Sequence, residues 1–148
     1  MDKYENRDLE LESGIAAFET KNFVHAFKLL HPLAEENNSD AMYRMAIMLQ
    51  NGLGCVSSEE NTKKAFEYMT KSAENNFALA QHALGFMYLE GECIEENIEK
   101  SIEWFTKAAE HGLMGSATTL AMIYEEGKKI PQDIEKAQYW YKKAGINK

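Results

Sequence analysis

The chain has 148 residues, 45% of them hydrophobic and 27% charged, with a formal net charge of −8. That length and mix suit one folded domain with a real core, and they exclude a disordered tail. The acidic balance argues against nucleic acid and anionic membrane surfaces as partners, and no apolar stretch is long enough to span a bilayer.

Residues 1–10 are largely charged and lack the apolar core of a secretory signal, so a cytoplasmic location is expected, with delivery by another route left open. From Glu10 to Glu19, Leu11, Ile15 and Phe18 recur at helical spacing. Asn22 is expected to cap a second helix, because its side-chain oxygen can accept from a free N–H of the first turn. That helix buries Ala26, Phe27, Leu30, Leu33 and Ala34, and Pro32 should bend it. Ser39 or Asp40 should cap a third helix over Ala41 to Gln50, which Asn51-Gly-Leu-Gly54 ends. Asn61 should cap a fourth, running to about Asn75. The same plan returns as Ala78 to Glu90, Gly91, Asn97 and Ile98 to His111. It returns again as Ser116 to Glu126, Gly127, Asp133 and Ile134 to Ala144.

The recurrence is in register. Lys100-Ser-Ile-Glu-Trp-Phe-Thr-Lys-Ala-Ala109 reappears as Lys136–Gly145 and, more loosely, as Lys64–Ala73, a spacing of 36 residues each time. The loop Gly52–Glu60 is three residues longer than its counterparts. Such periods mark stacked supersecondary units that bury their apolar faces against one another. Gly14, Ala46, Gly85 and Ala121 share one position, where a small residue lets the paired helix approach closely and a leucine would overpack it.

The pattern Leu84-Gly85-x-x-Tyr88-x-x-Gly91-x-x-Ile94, followed by Lys100-Ser-x-x-Trp104-Phe105-x-Lys107-Ala108-Ala109-x-x-Gly112, resembles the Sel1-like repeat. So does Leu120-Ala121-x-x-Tyr124-x-x-Gly127 with Lys136-Ala137-x-x-Trp140-Tyr141-x-Lys143-Ala144. The resemblance implies an all-α, right-handed α-solenoid of four antiparallel helix pairs in a single domain. The pairs would be residues 8–37 (more like a tetratricopeptide repeat), 40–77, 78–113 and 114–148. It further implies a non-catalytic adaptor, without cofactor, that binds another protein or peptide on a surface lined by the first helices, as many bacterial members do. Some secreted relatives carry a cysteine pair in each repeat and are associated with β-lactam binding. Here Cys55 and Cys93 are single, so neither feature carries over, and free thiols are expected.

Aligned on the small residue, the expected partner-contact positions are Ile15, Phe18, Tyr43, Ile47, His82, Phe86, Leu89 and Met122. An apolar stripe with Tyr and His interspersed suits an amphipathic helix or extended peptide. A second candidate surface is the C-terminal end, where Tyr139, Trp140 and Tyr141 are expected to remain partly uncovered and could support self-association. The competing enzymatic or ligand-binding reading rests on His82 and Cys93, which lie on different elements with nothing to orient the imidazole. No histidine or cysteine pair has metal-ligand spacing, and no metal is expected. The pairs Glu59-Glu60, Glu95-Glu96 and Glu125-Glu126 sit at helix ends or in loops, where a solvated role is the ordinary one.

Overall fold

The computed structural model describes residues 3–147, with side chains from residue 6 onward. These residues form eight helices and no strand: α1 Lys3–Glu19, α2 Phe23–Glu35, α3 Ser39–Asn51, α4 Glu59–Glu74, α5 Ala78–Glu90, α6 Ile98–Glu110, α7 Met114–Glu126 and α8 Ile134–Lys143. They group into two compact units, Met1–Phe77 and Ala78–Lys148. In the first, α1 packs on α2, α3 on α4, and α2 on α3; in the second, α5 packs on α6, α7 on α8, and α6 on α7.

Helix starts follow local chemistry, with three corrections to the expected caps. Asn97 and Asp133 do cap α6 and α8, accepting from the N–H groups of Lys100 and Lys136 at 3.0 Å. The cap of α3 is Asn38, however, and that of α4 is Ser58, which accepts from Asn61 N–H at 3.1 Å. Asn61 lies one turn inside α4 and turns its amide back to the Val56 carbonyl instead. Asn22 precedes α2 without a side-chain cap bond. Helix α1 also starts well before Glu10, and there Arg7 pairs with Glu10 and reaches Glu36, just past the end of α2, at 2.5 Å. Glycine supplies the left-handed turn that ends α3 at Gly52 and α7 at Gly127.

The shared small residue is a close-approach site, as its spacing suggests. A Cβ on Gly85 would lie 2.8 Å from the Phe105 ring, and one on Gly14 would lie 2.5 Å from Leu30. Ala46 and Ala121 are fully buried at the same position. The first unit closes over Leu30, Met42, Met45, Met48 and Met69, all fully buried. The second closes over Phe105, Leu120, Ile123 and Leu89, with Ile98, Ile102 and Trp140 packed against them. A repeated contact holds each hairpin loop of the second unit: Lys100 places its ammonium over Tyr88, and Lys136 over Tyr124, at 5.5 and 5.3 Å from the ring centroids.

Candidate functional site

In the second unit, α5 presents His82 and Phe86 one turn apart on the same face. Their rings meet edge to face at 5.0 Å, and both also contact Phe105, at 5.4 and 5.0 Å. Because Phe105 is fully buried, it forms a fixed floor under Phe86, which remains 36% exposed. Met122 occupies the same repeat position on α7, 36 residues on, and is 47% exposed. Two large apolar side chains at equivalent positions of adjacent first helices are thus open to solvent. His82 is half-buried, and its Nδ1 lies 2.7 Å from Ser116 Oγ.

In the first unit, Ile15, Phe18, Tyr43 and Ile47 are all half-buried. Phe18 meets Phe23 edge-on at 5.6 Å and carries the Arg44 guanidinium over its ring at 5.0 Å. Tyr43 leans on Phe77 at 5.5 Å, and burial raises its hydroxyl pKa. Arg44 and Phe77 had no sequence signal as part of this face; only the folded contacts reveal them.

Two expected surface residues lie inside instead. Leu89 is 8% exposed because it closes the core cluster around Phe105 and Leu120, so it is not a surface for a partner. Tyr141 is 4% exposed because it packs with Ala121 and Ala137. At that end Trp140 is half-buried against both clusters, and only Tyr139 stands well clear, at 54% exposure.

Burial depresses the His82 pKa below its ordinary 6.5. The unfolded chain therefore takes up the proton first as pH falls. Stability from neutral His82 is complete above about pH 6.5 and is lost as the pH drops towards the folded value. Melting curves between pH 7.5 and 5 should show this slope, and His82→Gln should flatten it.

Cys55 and Cys93 are unpaired thiols. Burial, reinforced at Cys93 by Glu92, pushes both thiols upward, away from the thiolate that a nucleophile needs. The structure pairs His82 with Ser116 and gives Cys93 no basic partner among the described residues. Iodoacetamide at pH 7 is expected to alkylate Cys93 more slowly than a free cysteine peptide; faster labelling would mark an activated thiol.

The Sel1 repeat family model matches residues 11–38, 39–77, 78–113 and 116–146, taking in the first pair that looked closer to a tetratricopeptide repeat. A Sel1 repeat protein crystal structure from Oxalobacter formigenes superposes with a TM-score of 0.81 at 26% identity, over 92% of this chain and 53% of that one. A protective antigen of uropathogenic Escherichia coli with an SLR fold superposes with a TM-score of 0.82 at 28% identity, over 94% of this chain and 30% of that one. Chitin synthase regulatory factor 2 of Schizosaccharomyces pombe is 33% identical over 79 residues, which is 53% of this chain and 15% of the yeast protein. The chain thus spans about half or less of each of these relatives. Sel1 repeat proteins are generally protein-interaction modules on a fold that is typically a non-catalytic scaffold. With four matched repeats and the all-α helix-pair architecture in common, the chain belongs to the Sel1 repeat family.

Proposed function

We propose that this chain is a non-catalytic adaptor that holds an apolar segment of a partner polypeptide against its first helices. The observation that carries this reading is the exposure of Phe86 and Met122 at the same repeat position. A ring supported from beneath by Phe105 is a rigid anchor, and a neighbouring methionine adapts its shape to whatever lies across it. His82 supplies one polar contact at the edge of the patch. Ile15, Phe18, Tyr43 and Ile47 of the first unit offer a smaller apolar surface of the same kind.

Photo-crosslinking tests the reading. A benzophenone side chain placed at 122 in cells should give a discrete adduct with one polypeptide, and the same group at the exposed Glu103 of α6 should not. Adducts from 103 alone would move the contact to the second helices.

A further inference from the structure

We infer that the Phe86 and Met122 face takes an amphipathic helix with one basic flank, whose lysine or arginine side chains lie against Glu90 and Glu126. This rests on the adaptor reading above and names the chemistry of the partner.

The face has a second row. Glu90 and Glu126 each follow the exposed apolar residue by four positions, so they sit one turn on from Phe86 and Met122, on the same side of α5 and α7. Both carboxylates are exposed, and they occupy equivalent repeat positions, as Phe86 and Met122 do. One turn the other way the row is His82 and Thr118, half-buried and without a carboxylate. The 2.7 Å contact from His82 Nδ1 to Ser116 Oγ joins α5 directly to α7, so the two helices lie side by side.

The charges of these two helices run against their dipoles. A helix C-terminus carries partial negative charge, which favours cations and disfavours carboxylates. Helices α4, α6 and α8 follow that rule, with glutamates in the first turn and Lys71, Lys107 and Lys142-Lys143 in the last. Helices α5 and α7 have neither, and they end on Glu90 and on Glu125-Glu126. Lys129, just past α7, is drawn instead to Glu96 at 2.9 Å. Among the described residues no ion pair takes in Glu90, Glu126 or the exposed Lys128. An arriving cation would offset carboxylate and dipole together, beside the exposed apolar pair. The net charge of −8 adds attraction at longer range.

The dimensions select a helix. Packed neighbouring helices run about 8–10 Å apart, and residues seven apart in a helix are separated by about 10.5 Å along its axis. Apolar residues at that spacing meet Phe86 and Met122, while basic residues at the same spacing on one flank meet Glu90 and Glu126. An extended strand sends alternate side chains towards the face and away from it, which leaves no flank beside the apolar row.

The test uses two designed peptides of two heptads, stapled as helices on their outer face, with leucine at positions a and d. One carries lysine at both e positions and the other glutamine. Binding to the whole chain is followed by the Met122 methyl and Phe86 ring resonances. The lysine peptide is expected to bind roughly tenfold tighter at low salt, the gap closing as salt screens the pairs. Glu90→Gln combined with Glu126→Gln should leave the melt and the glutamine peptide's affinity unchanged and remove the lysine peptide's advantage. Equal binding of the two peptides at Met122, or a lysine advantage that survives in the double variant, would overturn the basic flank and leave the adaptor face standing. Saturable binding that leaves Met122 and Phe86 unshifted would overturn the adaptor face itself. No saturable binding of either peptide would overturn the helical occupant.

Discussion

Phe105→Ala is expected to cost about 3–5 kcal/mol, the range for deleting a fully buried phenylalanine whose surroundings relax only in part. The ring is fully buried and is the common neighbour of His82, Phe86, Leu89, Leu120 and Ile123. Gly85 is there because the helix carrying Phe105 must come this close, so no side chain of α5 can move in at that point to fill the void. Against the roughly 5–15 kcal/mol that holds a typical domain together, such a loss leaves the fold marginal at best. Urea denaturation followed by helical signal and by the fluorescence of Trp104 and Trp140 measures it. A loss below about 1 kcal/mol would mean that Phe105 is not the floor of the proposed site.

The second large effect is on binding. Met122→Asp and Phe86→Asp are each expected to weaken a partner by at least about 2 kcal/mol, roughly thirtyfold, because a carboxylate would be desolvated where an apolar anchor was. Their stability effects should separate. Met122 is nearly half exposed, so its substitution should stay within about 1 kcal/mol. Phe86 also gives up edge-to-face contacts with His82 and Phe105, each worth about 0.5–1.5 kcal/mol. Titration calorimetry alongside thermal melts distinguishes the two contributions. Unchanged affinity in Met122→Asp would remove the face from the account even if Phe86→Asp bound poorly.

Most of the helix plan was legible because the repeat writes it three times over. Gly85 and Ala121, Gly91 and Gly127, Asn97 and Asp133 recur in register, and each recurrence fixes a close approach, a turn or a cap. Where the chain departs from the repeat, the reading failed for local reasons. The longer loop before α4 moves the cap from Asn61 to Ser58, and the charged start of α1 hides a helix that ion pairs support without apolar periodicity. Exposure was harder to read than element type. Leu89 lies three residues beyond Phe86 on the same helix, yet one closes the core and the other opens to solvent. A helical stripe about 100° wide has an edge, and residue spacing alone does not say on which side of it a leucine falls. The same limit applies to Tyr139, Trp140 and Tyr141, consecutive on α8 and respectively exposed, half-buried and buried.

The most direct measurement is the methyl resonance of Met122 in the complex with the polypeptide recovered by crosslinking. If an apolar segment lies across this face, the Met122 methyl should shift and show nuclear Overhauser contacts to partner side chains, with Phe86 ring protons changing alongside it. A saturated complex in which the Met122 methyl and the Phe86 ring keep their free-state shifts would contradict the account.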